Sequence, residues 1–280
     1  MQELKDLGKL SKEWYGRQAR FKKWFILSFG GFLIISFLFL ISLYAGLFGH
    51  IPSKRDLGNL EALQASIVYD NQGEQLGKIF EINRTYASID TFPKHLIDAL
   101  VSTEDERFYQ HAGVDYRALG RVLAKGTGGG STISQQLIKN TIGRKQRRRF
   151  GLIIEKLKEI IAAKRLEKIY SKEQILELYL NTVPFGENVY GIEAAAERFY
   201  SKHPSLLNIE EGAVLVGLLK ANTTYSPRLN PEKSKERRNV VFGQMHKNQK
   251  LTDSQFDSLC ALPLEIDYNF SSTNSYQPHY

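Results

Sequence analysis

Cysteine is nearly missing from this chain, with Cys260 the only one in 280 residues. That excludes an internal disulfide and leaves too few thiols for a cysteine-built zinc site or a Cys-x-x-Cys redox motif. Internal repeats and low-complexity tracts are also lacking, so solenoid and linker-type chains are set aside. What remains has room for one medium domain plus a further short element. Basic residues outnumber acidic ones, 38 to 30, giving a formal charge of +8 and a pI near 9.3. Such a balance favours an anionic partner, whether nucleic acid, an anionic lipid surface or a phosphorylated substrate.

Charge is lacking altogether from Trp24 to Gly49, a run rich in Phe, Leu and Ile. As a helix it would extend roughly 39 Å, enough to cross a hydrocarbon core of about 30 Å with some tilt. A cleavable signal peptide would have a shorter apolar core and a small-x-small exit, whereas the exit here reads Leu43-Tyr44-Ala45-Gly46-Leu47-Phe48. An uncleaved, single-pass anchor in the cytoplasmic membrane is therefore expected. The preceding 23 residues carry Lys5, Lys9, Lys12, Arg17, Arg20, Lys22 and Lys23. That positive flank predicts a cytoplasmic N-terminus and an extracytoplasmic, periplasmic body. Intracellular nucleic acid then drops out as a partner, and a cell-envelope substrate is left.

The chain divides into a basic tail (1–23), the anchor (24–49), a linker with a small β-hairpin (50–92), a helical body (93–250) and a tail or onward linker (251–280). The hairpin is expected from Ser66–Tyr69 and Leu76–Ile82 around Asp70-Asn71-Gln72-Gly73. A first helix should be capped by Asp90 or Thr91, with Leu96, Ile97, Leu100 and Val101 at helical spacing. Further helices are predicted at Tyr116–Ala124, Ser134–Thr141, Leu152–Ile169, Lys172–Leu180, Gly191–Tyr200, Ile209–Leu219 and Pro231–Lys247. The fold class is mainly α.

Three segments carry candidate chemistry. Glu104-Asp105-Glu106-Arg107-Phe108-Tyr109-Gln110-His111-Ala112-Gly113 closes an apolar helix, where a carboxylate can project into a cleft as a general base. Its bland counterpart is a solvated acidic helix end, with His111 a hydrogen-bonded structural residue. Gly126 to Asn140 then combines glycines with Ser131, Thr132, Gln135 and Gln136 ahead of a helix, resembling a phosphate cradle. It is not a P-loop, because no Lys precedes the Ser-Thr pair; a capped flexible loop is the alternative. Finally, Lys139 to Lys172 holds 12 Lys or Arg against Glu155, Glu159 and Glu167. This block suits a pyrophosphate and anionic head groups, or is simply a solvated helix face.

In this order the segments resemble the peptidoglycan glycosyltransferase family, found as monofunctional enzymes and as the N-terminal catalytic domain of class A penicillin-binding proteins. The likeness covers roughly 66–245. Glu-Asp-x-x-Phe-x-x-His-x-Gly falls on Glu104, Asp105, Phe108, His111 and Gly113, and Gly-Gly-Ser-Thr-x-x-Gln-Gln on Gly129, Gly130, Ser131, Thr132, Gln135 and Gln136. Arg-Lys-x-x-Glu is represented by Glu155, Lys156 and Glu159. Glu177, Tyr179, Asn181 and Gly186 belong to the fourth motif, and Tyr225, Pro227, Asn230 and Arg237 to the last.

The resemblance implies a lysozyme-like glycosyltransferase domain whose substrates are lipid II and the growing glycan strand. It makes Glu104 the general base and Glu159 a second catalytic carboxylate that holds a divalent metal such as magnesium. Lys139, Asn140, Arg148, Lys156 and Arg237 would bind substrate, the cations steadying a departing diphosphate. It also implies other cell-wall synthesis proteins, including a penicillin-binding transpeptidase, as partners. One position departs from the pattern: Glu155 stands where the family has Arg, four residues from Glu159 on one helix face. That pair invites a metal or a nearby guanidinium, and pyrophosphate binding would pass to Arg147, Arg148 or Arg149. No Ser-x-x-Lys nucleophile motif occurs, so either a separately encoded or truncated glycosyltransferase half or a natural monofunctional protein is expected. The competing readings are a lysozyme-like lytic enzyme and an inactive lipid II-binding scaffold.

Overall fold

A computed structural model describes residues 2–58, 60, 66–69, 75–79, 86–126, 129–142 and 149–270. The chain forms two compact units, 1–51 and 52–280. In the first, helix α1 (Gln2–Tyr44) includes Phe21–Tyr44, long and apolar enough to cross a membrane, with mean hydropathy 2.5. Its large side chains, among them Trp24, Phe32, Ile35 and Phe37, are exposed. A helix of a water-soluble domain would bury one stripe of them. The helix begins well before the expected anchor start at Trp24, since the basic segment contains no proline to stop it. It also ends at Tyr44 rather than Gly49, where turns bonded from Gly46 N–H to Leu43 O and Gly49 N–H to Gly46 O take over.

The second unit opens with α2 (Lys54–Gly58), inside the stretch expected as a linker. Ser53 and Asp56 cap it reciprocally: the Ser53 N–H donates to Asp56 Oδ2 at 2.7 Å and the Asp56 N–H to Ser53 Oγ at 3.2 Å. Tyr170 donates to Leu57 O at 3.0 Å, and Leu57 is fully buried. The small hairpin pairs β1 (Ser66–Tyr69) antiparallel with β2 (Gln75–Ile79), Ser66 opposite Ile79. The expected turn residues Asp70 to Gly73 lie outside the described residues.

The helical body holds α3 (Lys94–Glu104), α4 (Tyr116–Lys125), α5 (Ile133–Ile142), α6 (Arg149–Leu166), α7 (Lys172–Thr182), α8 (Ile192–Tyr200), α9 (Ile209–Leu218), α10 (Pro231–Lys247) and α11 (Asp253–Ala261). A second hairpin, β3 (Pro184–Gly186) with β4 (Val189–Tyr190), joins α7 to α8. The first helix of this body starts later than predicted. Asp90 and Thr91 sit in a 3₁₀ turn (Ile89–Thr91), and Pro93, whose missing N–H costs nothing at a helix entrance, precedes α3.

Sequence-coded stops set the other helices. Ser171 with Gln174, Asn208 with Glu211 and Thr252 with Gln255 form capping boxes at the starts of α7, α9 and α11. Helix α9 is buried on every side from Gly212 to Leu218, and α3 and α10 pack against it and each other. Burying Val214, Leu215, Val216 and Leu218 contributes about 1.5–3 kcal/mol apiece. Helix α5 packs against α6 and α7. After α11 the chain returns as a strap along α8: the Asp267 N–H bonds to Phe199 O at 3.0 Å and the Asn269 N–H to Arg198 O at 2.9 Å.

Candidate functional site

The two helix groups, α3 with α10 and α5 with α6, open onto a cleft of about 680 Å³. Glu104, Ser131, Gln135, Lys139, Glu159 and Arg237 all line it. Glu104 is the last residue of α3, and the backbone turns away immediately at Asp105 (φ −157°), leaving the carboxylate at the cleft wall.

Asp105, also at the cleft lining, is buried. Its two oxygens each lie 3.0 Å from His111 Nε2, and Oδ2 also accepts the Ile133 N–H at 3.0 Å. An anion is favourable there, at the entrance of α5. Phe108, fully buried, meets His111 edge to face and carries the Lys172 ammonium 4.2 Å from its ring centroid. Asp105, Phe108 and His111 therefore form the frame that joins Glu104 to α5, in keeping with the structural reading of His111.

Thr132 caps α5. Its hydroxyl donates to Gly113 O at 2.8 Å and accepts the Gln135 N–H at 3.2 Å. Gly113 sits at φ +85°, and a Cβ there would lie 2.7 Å from the backbone C and O of Ala163 on α6. Only glycine allows α6 to come this close.

The paired glutamines of α5 serve the two carboxylates. Gln136 Nε2 donates to Glu104 Oε2 at 2.9 Å. Gln135 Oε1 accepts from Lys156 Nζ at 2.9 Å, which also donates to Ser131 Oγ at 2.8 Å and Glu159 Oε2 at 3.1 Å. Lys156 thus staples the glycine loop and α5 to α6. Glu155, predicted to crowd Glu159 and draw in a metal or guanidinium, is instead partnered by Lys158 at 3.3 Å. The two carboxylates have separate ammonium partners, three residues later for Glu155 and three residues earlier for Glu159, the (i, i+3) spacing of a helix face.

The cleft also gathers groups that sequence reasoning passed over. Arg107, Asp115, Arg121, Lys220, Gln244 and Lys247 line it. Arg237, Val240, Gln244 and Lys247 follow the helical i, i+3, i+7, i+10 pattern on α10, a signal readable once that face is known to be polar. Lys247 reaches Glu106 at 2.9 Å and Arg107 also pairs with it. The Lys247 hydrogen bond, acting against burial, holds the Glu106 carboxyl below the usual range. Asp115 caps α4 by accepting from the Arg117 and Ala118 N–H groups, each at 3.0 Å, and pairs with Arg107 at 2.7 Å. Burial pushes its carboxyl up, but those N–H groups and the guanidinium outweigh it and the net direction is down. Arg237 lies over the Tyr225 ring, and its buried Nε has no hydrogen-bond partner among the described residues.

Other predicted site residues stand elsewhere. Glu177 accepts from Tyr86 Oη and from the Ile89 N–H at 2.6 Å, and Asn181 bonds both the N–H and the carbonyl of Ala87 at 2.9 and 2.8 Å. They pin residues 86–89 to α7 and do not line the cleft. Gly186 packs against Asn222 in the second hairpin. Asn140 is half-buried on α5 outside the lining. Arg148 lies outside the described residues. Among the described residues no group of three or more His, Cys, Asp or Glu gathers to hold a metal. At Glu159 the structure offers one carboxylate, paired with the Lys156 ammonium, so a magnesium ion there would need most of its ligands from phosphates and water.

A family model described as Transglycosylase matches residues 72–246. The chain is 36% identical over 256 residues to penicillin-binding protein 1A of Aquifex aeolicus, a match covering 86% of this chain and 34% of the relative. It is 42% identical over 188 residues to penicillin-binding protein 1F of Bacillus subtilis, covering 65% and 26% respectively. A crystal structure of penicillin-binding protein 1A from Haemophilus influenzae aligns with a TM-score of 0.43 at 24% identity, over 74% of this chain and 21% of that one. The chain spans about a quarter to a third of the length of the curated relatives it matches.

Proposed function

This chain belongs to the transglycosylase family, and on that premise we propose that it is a membrane-anchored peptidoglycan glycosyltransferase that polymerises lipid II. The observation that carries the reading is one shared cleft lined by a carboxylate at a helix end, Glu104, and by the cations Lys139 and Arg237.

Glu104 takes the proton from the 4-hydroxyl of the acceptor's N-acetylglucosamine. The oxygen attacks the anomeric carbon of the donor's N-acetylmuramic acid, and the bond to the pyrophosphate breaks. A β-1,4 link replaces the α-linked diphosphate, with inversion, and undecaprenyl pyrophosphate leaves carrying the negative charge. Lys139 and the Arg237 guanidinium, both at the cleft lining, stabilise that charge as fixed cations. Gln136 holds Glu104, and Lys156 holds Glu159, Ser131 and Gln135 in place. A magnesium ion bound with substrate at Glu159 would supply further neutralisation of the diphosphate. Anchored through the apolar run, the enzyme would be tethered to the membrane that delivers the lipid, the N-terminus on the cytoplasmic side and the body outside. A transpeptidase and other cell-wall proteins would act on the strand it makes.

A lytic enzyme of similar shape needs a carboxylate but no cationic seat for a diphosphate. Incubating the full chain in detergent with labelled lipid II and magnesium, and separately with preformed glycan, distinguishes the two. Growth of polymer supports the reading; shortening of glycan with no polymer from lipid II contradicts it.

A further inference from the structure

Tyr179 is fully buried on α7, yet its hydroxyl is not spent on the core. It donates to Gln136 Oε1 at 3.0 Å, and Gln136 Nε2 donates in turn to Glu104 Oε2 at 2.9 Å. Glutamine presents an acceptor on one side of its amide and donors on the other. Turned over, the amide would set its carbonyl oxygen against the Glu104 carboxylate, two acceptors facing with no proton between them. Which way it sits is decided by what lies on its far side, and that is the Tyr179 hydroxyl.

We propose that Tyr179 is a positioning residue for the general base: by donating to Gln136 it locks the amide with its N–H toward Glu104 and so aims the carboxylate at the acceptor hydroxyl. This deepens the polymerase reading and rests on it for its catalytic consequence. Burial, and next the nearby Glu104 charge, push the Tyr179 hydroxyl well above its ordinary range. It therefore keeps its proton at every working pH and always has one to donate. The neighbouring glutamine shows the same division of labour, since Gln135 Oε1 is held by Lys156, which also holds Glu159. Helix α5 carries both supports side by side, so its register against α6 and α7 fixes both carboxylates.

The test is Tyr179→Phe in the full chain, which removes one oxygen and keeps the ring. Turnover of lipid II should fall about tenfold with KM changed less than about twofold, the signature of a misaimed base rather than a lost binding contact. Gln136→Ala should lower turnover too, and the double variant should be no slower than Gln136→Ala alone, because both act through one amide. A side chain that merely fills the core would instead add its loss to that of Gln136→Ala. An independent readout needs no turnover: in protein labelled with ¹⁵N-glutamine, the side-chain amide resonance that Gln136→Ala removes should move in both Tyr179→Phe and Glu104→Gln. Unchanged turnover in Tyr179→Phe, multiplicative losses, or an amide resonance indifferent to Tyr179 would each overturn the proposal. Absence of polymer from the wild type together with a resonance that moves would overturn the polymerase reading and leave the lock standing.

Discussion

Gly113→Ala tests how the motif that carries Glu104 is held against α6. The added methyl would stand 2.7 Å from Ala163 C and O and 2.9 Å from Lys164 N, all backbone atoms that cannot swing aside. Overpacking of this kind costs about 1–3 kcal/mol. The backbone at φ +85° adds about 1–2 kcal/mol for a residue with a Cβ. A combined loss of about 4 kcal/mol is a large share of the roughly 5–15 kcal/mol that keeps a domain folded. For a body of this size it corresponds to a fall in melting temperature of about 8–16 °C. Because Gly113 O also accepts the Thr132 hydroxyl that caps α5, whatever fold remains should show weakened turnover. Circular dichroism melting in detergent measures the effect, with Gly120→Ala as the internal comparison. Gly120 lies mid-helix on α4 with nothing near its would-be Cβ, so alanine there should leave stability equal or raise it by up to about 1 kcal/mol. If Gly113→Ala melts within about 3 °C of wild type, the close approach to α6 is not what fixes this motif.

Asp115→Asn should cost about 1 kcal/mol at neutral pH. Asp115 is held below the ordinary carboxylate range, so its contribution is present above the unfolded-state value near 3.8 and is lost as pH falls through the lower folded value. Urea titrations of the two proteins should accordingly converge below about pH 4; a gap independent of pH would refute the charge argument. Arg238→Met should release the strap, since the buried guanidinium donates to Leu262 O at 2.7 Å and Pro263 O at 2.8 Å. Chymotrypsin should then cut near Tyr268 faster than in wild type, and equal cleavage rates would show that Arg238 does not anchor it.

Periodic apolar positions and helix-start residues made most helices legible: Lys172 and Ile209 begin α7 and α9 behind capping boxes, and Pro231 begins α10 as a first-turn proline. Helix α2 and the second hairpin were not legible. The first is a single turn whose cap lies in a charged stretch, and the second has strands of only three and two residues. At the site, Glu104, Ser131, Gln135, Lys139, Glu159 and Arg237 were all singled out in advance and meet in one cleft. Glu177 and Asn181 belong to another motif of the same ordered set, but motif membership does not say whether a polar side chain faces a ligand or a neighbouring loop. The cations Arg121, Lys220 and Lys247 escaped notice because nothing local marks them; only tertiary packing brings α4, the end of α9 and α10 to one cleft.

The proton-accepting role of Glu104 is the centre of this account, and Glu104→Gln is its most direct test. The amide keeps the size of the side chain and gives up the base. Labelled lipid II should still bind within a few-fold of wild type while glycan polymer falls by at least about 10². Polymer made at near the wild-type rate by Glu104→Gln would contradict it.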